Sequence, residues 1–387
     1  MAAIDKSKTD YKVLFALFLV HFSGDLYSSF INPLLPALAD KLTLTLTQVG
    51  LLTGVVRVLS FVIQPTVGYL ADRYRTKFFV LGGPLLAVIF TPLIGILPSY
   101  LLVMLSLSIS SVGSSMFHPT AAAMVSDYSG KKSGMGMAIF IFGGTLAFGI
   151  GPVGISWYVE TLGLENLPFT MLPGIVLFII LFIVVPTPET EGLANMGFWG
   201  AMKDAFGHVW RPILLIWIMV VIRTLVSQSF MTFMPMLMDE RGYSITAVGG
   251  IVSLFTVAGA ASGLISGHLA DRMGDRPMFY ASFGLSAPAL LAFLYLPGPW
   301  VYVGSFVSGF FVMATLPLAV SLAQHVAPKG KSLVSSLMMG LAFGVGGMLT
   351  PVVGYLSDLF GITNVLVVLS LIPLLVVYSV RNLPDRN

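Results

Sequence analysis

Charge in this chain collects in short clusters, and the stretches between them are apolar runs of twenty or more residues. A helix rising 1.5 Å per residue needs about 20 apolar residues to cross a hydrocarbon layer about 30 Å thick. Only 10% of the residues are charged and 56% are hydrophobic, whereas a soluble domain carries about 25% charged residues. Backbone polar groups in lipid must be satisfied within the segment, so the runs are expected to be helices. The two-residue alternation of a transmembrane β-barrel is absent. There is no cysteine, so no disulfide or thiol chemistry is available. The N-terminus, MAAIDKSKTD, is polar and has no cleavage-site pattern, so the first run is expected to stay as a helix.

Twelve helices are predicted, over 12–38, 48–71, 77–97, 100–126, 133–158, 168–186, 211–238, 246–271, 277–296, 300–326, 332–357 and 362–381. The fold class is therefore an all-α membrane protein of two six-helix bundles, 1–186 and 211–387. Segment 187–210 joins them, and its Phe198-Trp199 and Phe206 suggest an amphipathic piece on the membrane surface. Lys6, Lys8, Lys12, Arg73, Arg75, Lys77, Lys131, Lys132, Lys203, Arg211, Arg272, Arg276, Lys329, Lys331, Arg381 and Arg386 fall on one side, and only Lys41 and Arg241 on the other. The positive-inside rule then puts both termini and the central loop in the cytoplasm of a cell whose inner (plasma) membrane holds the chain.

The two halves repeat each other. Gly68-Tyr-Leu-Ala-Asp72-Arg73 returns 199 positions later as Gly267-His-Leu-Ala-Asp271-Arg272, and Thr47-Gln-Val-Gly50 returns at the same offset as Thr246-Ala-Val-Gly249. A second likeness pairs Leu146-Ala-Phe-Gly-Ile-Gly with Leu341-Ala-Phe-Gly-Val-Gly. These glycine-rich stretches let helices approach closely, and they also suit a helix pair that bends as the halves rock. Asp72 and Asp271 end their helices on the cytoplasmic side, where a carboxylate can cap a neighbouring helix N-terminus and pair with Arg73 or Arg272. Gly68, Asp72, Arg73, Gly267, Asp271 and Arg272 are the candidate cytoplasmic gate, against a plainer reading as topology anchors.

Charges near mid-membrane are costly unless paired or hydrated. Asp25, Arg57 and Arg223 are the three clear cases. The repeat offset puts Asp25 opposite Thr224, beside Arg223, which brings an acid and a base to equivalent places where repeat-built transporters bind substrate. A buried ion pair that only fixes packing is the bland alternative. The functional reading makes Asp25 the proton carrier and Arg57 and Arg223 the contacts for an anionic substrate. His21 lies one turn before Asp25 on the same face, which continues through Ser28, Ser29 and Asn32 and is expected to line a cavity. His118, followed by Pro119, is a second candidate for proton or substrate contact, and its counterpart is Leu316-Pro317. Asp25 itself, Tyr27, Ser28, Asn32 and Gln228 complete the candidate substrate contacts.

No phosphate-cradling loop, metal-ligand spacing or nucleophile triad is present, so neither an enzyme nor ATP drive is expected. No metal or other cofactor is expected, and the proton gradient is the driving force. On these residues the chain resembles the major facilitator superfamily, whose loop motif reads G-x-L-a-D-r-x-G-r-k; the second copy keeps Gly274 where the first has Arg75. His21-Phe-Ser-Gly-Asp25, Tyr27-Ser-Ser-Phe30, Pro33-Leu-Leu-Pro36, Gln64-Pro65 and Phe117-His118-Pro119 are similar to the fosmidomycin-resistance branch of drug/proton antiporters. The resemblance implies proton-coupled export of a small anionic phosphonate-type drug or metabolite by a functional monomer. Its partners are the anion, protons and lipid, with no nucleic acid. Proton symport of a small carboxylate is the nearer alternative, and a non-transporting membrane sensor the remote one.

Overall fold

The computed structural model describes residues 9–71, 77–130, 133–188, 209–327 and 336–384. Helices are the only regular structure among them. The first half contains α1 (Tyr11–Ser28), α2 (Ile31–Leu42), α3 (Leu46–Ala71), α4 (Gly83–Leu93), α5 (Tyr100–Tyr128), α6 (Ser133–Leu162) and α7 (Met171–Val184). The second contains α8 (Trp210–Glu240), α9 (Ile245–Met273), α10 (Asp275–Tyr295), α11 (Trp300–Met313), α12 (Thr315–Val326), α13 (Ala342–Met348), α14 (Thr350–Phe360), α15 (Ile362–Leu371) and α16 (Leu374–Val377). Eleven continuous or broken helices among the described residues are long and apolar enough to cross a membrane, and Phe78–Leu93 is a shorter apolar helix in the place of the third predicted span. Asp72 and Arg73, and most of the predicted linker with Phe198, Trp199 and Phe206, lie outside the described residues.

Prolines set the breaks. A proline lacks the N–H that its turn needs, and its ring collides with the carbonyl four residues back. The first span is interrupted at Ser29–Phe30, ahead of Pro33. The tenth is interrupted at Ala314, ahead of Pro317, and the Ala314 carbonyl there accepts a hydrogen bond from Ser266 Oγ at 2.8 Å. At Pro119, the counterpart of Pro317 in the first half, α5 runs on as continuous helix.

By packing, the chain forms two compact units. One takes in the residues up to Thr43, Leu59 through α7, and Ser244–Gly249; the other takes in Leu44–Val58, α8 and Gly250 onward. Small polar residues hold helices together inside each, as expected where lipid offers no hydrophobic drive. In the first unit Ser106 Oγ donates to the Phe90 carbonyl at 2.6 Å. In the second, Ser305 Oγ donates to the Ile251 carbonyl at 2.6 Å and Ser308 Oγ to the Ala289 carbonyl at 3.0 Å.

The repeated Thr-x-Val-Gly has a physical cause. In the second unit, Asp358 at the end of α14 accepts the backbone N–H groups of Leu46 and Thr47, each at 2.8 Å, and so caps the start of α3. In the first unit, Glu160 at the end of α6 accepts the N–H of Thr246 at 2.7 Å and caps the start of α9. The glycine that follows is needed for space. A Cβ on Gly50 would stand 2.6 Å from the Thr350 carbonyl oxygen, and one on Gly249 would stand 2.5 Å from that of Pro152. The two cations predicted on the outer side are also equivalent. Lys41 Nζ donates to the Gly95 carbonyl at 2.7 Å and Arg241 Nη2 to the Leu294 carbonyl at 2.6 Å, so each caps the C-terminal end of a helix in its own repeat.

Candidate functional site

The first candidate group lies in the first unit, on the polar face of α1. That face turns toward α5 and α6. His21 Nε2 lies 3.1 Å from Asp25 Oδ2, the distance that one helical turn allows. His118, from α5, brings its Nε2 to 3.7 Å from Asp25 Oδ1. The Asp25 and His21 side chains are each 9% exposed, and that of His118 is 36% exposed. Asp25 therefore meets two histidines, one on each carboxylate oxygen.

The orientation of both rings follows from their other nitrogens. His21 Nδ1 lies 2.7 Å from the Phe140 carbonyl oxygen, and His118 Nδ1 lies 2.8 Å from that of Ser114. A carbonyl only accepts, so both Nδ1 atoms carry hydrogen and donate. Each Nε2 of a neutral ring is then a bare lone pair aimed at Asp25. Phe140 and Phe117 pack on His21 with ring centroids 4.1 and 5.5 Å away, and Phe117 lies 4.0 Å from the His118 ring.

Gly144 of α6 leaves the space these groups occupy. A Cβ there would sit 2.5 Å from His21 Nε2 and 2.6 Å from Asp25 Oδ2. The glycine-rich stretch thus admits a polar cluster as well as a close helix. Ser28 Oγ donates to the Gly24 carbonyl at 2.9 Å and to Ser114 Oγ at 3.2 Å. The Tyr27 hydroxyl donates to the Thr170 carbonyl. Asn32 is half-buried on α2. Among the described residues, His21, Asp25 and His118 are the group of acidic and histidine side chains able to hold a metal ion, with donor atoms all within 4.8 Å of one another. No metal spacing was visible in the sequence because the third donor comes from another helix.

The second group lies in the second unit. Arg223 of α8 is 5% exposed, and its Nε and Nη1 have no hydrogen-bond partner among the described residues. Its guanidinium stands 5.7 Å from the ring centre of Phe343 on α13. Leaving a buried N–H bare costs about 1–3 kcal/mol, and more on a charged group. Thr224 Oγ1 and Ser229 Oγ, further along α8, are also buried without partners among the described residues. Gln228 is half-buried one turn past Thr224. Arg57 of α3 is half-buried and packs its Cβ and Cγ on Gly347, while Thr224 packs on the adjacent Gly346. The two arginine-bearing helices α3 and α8 therefore flank one pair of glycines in α13.

At the candidate gate, the first copy's Gly68 lies within α3. In the second copy Gly267 has open space around it, and Asp271 and Arg272 are exposed at the end of α9. Gly274 takes φ +85°, a left-handed conformation that favours glycine, and turns the chain into α10. Arg276 donates from Nε and Nη2 to the Leu383 carbonyl at 3.1 and 2.6 Å. Sequence reasoning gives no role to Glu160, Asp358 or Ser114, and it reads Gly144 only as part of a close-packing glycine-rich stretch.

Comparison with known proteins gives a consistent result. The sequence profile described as Major Facilitator Superfamily matches residues 17–351. The fosmidomycin resistance protein of Escherichia coli (strain K12) is 26% identical over 394 residues, covering 100% of this chain and 96% of that protein. The uncharacterized MFS-type transporter YfnC of Bacillus subtilis (strain 168) is 25% identical over 384 residues, covering 95% and 91%. Among solved structures, a bacterial homologue of the human lysosomal transporter Spinster, inward-facing and occupied, superposes with a TM-score of 0.82 at 16% identity over 96% of both chains. The nucleoside transporter NupG D323A mutant gives 0.80 at 14% identity, covering 96% and 99%. At such identities the likeness to the solved structures is one of fold.

Proposed function

Because the chain belongs to the major facilitator superfamily, a family of membrane transporters, we propose that it exports a small organic anion in exchange for protons by alternating access. The observation that carries the reading is Arg223: a guanidinium buried in a membrane-spanning helix whose Nε and Nη1 are bare among the described residues. A cation in that state calls for an anion that comes and goes, because a permanent structural role would be served by a permanent partner. The cation–π contact with Phe343 holds the group without satisfying its N–H donors. Arg57, Gln228, Tyr27, Ser28 and Asn32 are the further proposed contacts.

The exchanged proton is assigned to Asp25, with His21 and His118 beside it. The Escherichia coli relative carries the name of a fosmidomycin resistance protein, which makes a phosphonate the first substrate to test and a small carboxylate the second. The termini are taken to be cytoplasmic, and Asp271 and Arg272, with Asp72 and Arg73, to act at the cytoplasmic gate.

The test is equilibrium binding of fosmidomycin and of small carboxylates to the purified chain in detergent. Saturable binding is expected in the wild type, with weaker binding in Arg223→Lys and none in Arg223→Gln. Equal binding by wild type and Arg223→Gln would remove Arg223 from the substrate site and the reading with it.

A further inference from the structure

We infer that His21, Asp25 and His118 form a binding site for a divalent first-row transition-metal ion of the zinc class. The inference concerns binding only and does not rest on the direction or coupling of transport.

Three features point to a cation at one position. The donor set is two imidazoles and a carboxylate, with all donor atoms within 4.8 Å of one another. Imidazole and carboxylate together suit zinc and its neighbours in the first row. The rings are also oriented as metal-binding histidines are. Each donates Nδ1–H to a backbone carbonyl, at 2.7 Å for His21 and 2.8 Å for His118, which fixes the tautomer and aims the Nε2 lone pair inward. With both rings neutral and Asp25 ionised, two bare nitrogens face a carboxylate, an arrangement that a metal ion between them relieves, as a shared proton also would.

The distances fit once His118 closes on the other two. Metal–ligand bonds of about 2.0–2.2 Å in tetrahedral geometry put neighbouring donor atoms roughly 3.3–3.6 Å apart. The observed Nε2–Oδ separations are 3.1 Å for His21 to Oδ2 and 3.7 Å for His118 to Oδ1, and the three donor atoms lie within 4.8 Å of one another, so the set must draw in by up to about 1 Å to meet one ion. His21 and Asp25 are the buried, fixed pair. His118 is the more exposed member and can close on them, and its open side gives an ion a way in. Gly144 keeps the α6 backbone free of a side chain at this point. Three protein donors leave a fourth position for water or for an anion.

The experiment uses the full chain, purified without a histidine tag and stripped of metal by chelation. Co2+ is titrated in and read by its visible ligand-field absorption, and Zn2+ uptake is measured by equilibrium dialysis. The expected result is one Co2+ per chain in a low-symmetry nitrogen–oxygen site, displaced by Zn2+. His118→Gln, His21→Gln and Asp25→Asn should each weaken binding by about tenfold to a hundredfold, the range seen for disturbed metal sites. His268→Gln and His325→Gln should bind as wild type does. His118 is the least buried of the three, so His118→Gln decides the matter if either other variant fails to fold. Absence of saturable Co2+ binding in the wild type overturns the site, as does binding that His118→Gln leaves unchanged. A wild-type chain that binds anion but takes up no Co2+ would overturn the metal site and leave the transport reading standing.

Discussion

Glu160 accepts the backbone N–H of Thr246 at 2.7 Å, so a carboxylate at the end of one helix caps the start of another 86 residues away. Asp358 does the same for Leu46 and Thr47 at the equivalent place in the other repeat. Such caps satisfy helix N–H groups that have no intrahelical partner, and a negative charge there is favoured by the helix dipole. Asp358→Ala is expected to lower stability by about 1 kcal/mol, the usual value of a lost cap. Glu160→Ala should lower the melting temperature in detergent in the same direction. The two losses should add in the double variant, because the caps share no partner. Unchanged melting in the double variant would show that the caps are incidental.

Lys41 and Arg241 make a second equivalent pair, each donating to a carbonyl near the C-terminal end of a helix. A cation at that end is worth about 0.3–1 kcal/mol. Lys41→Met and Arg241→Met keep the apolar stem and remove the charge, so each should lose about that much stability with flux intact. Thermal melting beside a transport assay checks both parts. A loss of flux at unchanged stability would give these cations a part in transport that this account does not.

Gly144→Ala should be damaging although it adds one methyl group. That methyl would fall 2.5 Å from His21 Nε2 and 2.6 Å from Asp25 Oδ2, so the cluster or α6 must shift. Overpacking of this kind costs about 1–3 kcal/mol. The expected outcome is loss of gradient-driven flux together with lower stability. Gly154→Ala, where nothing lies within 4 Å, is the control expected to behave as wild type. Equal behaviour of the two variants would contradict the view that Gly144 makes room for the cluster.

Much of this fold is legible in the sequence because lipid leaves a chain few options. Apolar runs of a given length mark the spans, and the return of Gly-x-Leu-Ala-Asp-Arg marks the repeat. The spacing of His21 and Asp25 put them on one face, since a single helix governs both. What depends on distant contacts is not legible in this way. Asp358 reaches Leu46 across 312 positions, and no local pattern announces that partner. His118 stands out in the sequence as an unusual histidine, but its approach to Asp25 is a product of how α5 packs on α1. Gly144 reads as a packing glycine whether it admits a helix or a charged cluster. The bare nitrogens of Arg223 are likewise invisible, because the sequence shows a costly charge without showing whether its partner is present.

The most direct test is substrate flux in proteoliposomes under an imposed pH gradient, with fosmidomycin and small carboxylates, comparing wild type with Asp25→Asn and Arg223→Gln. The account predicts that protons moving down their gradient drive the anion the opposite way. Asp25→Asn should uncouple flux from the gradient, and Arg223→Gln should abolish it. Accumulation of the anion on the side that protons enter would establish symport instead. Flux that ignores the gradient and is the same in Asp25→Asn would contradict proton exchange at this site altogether.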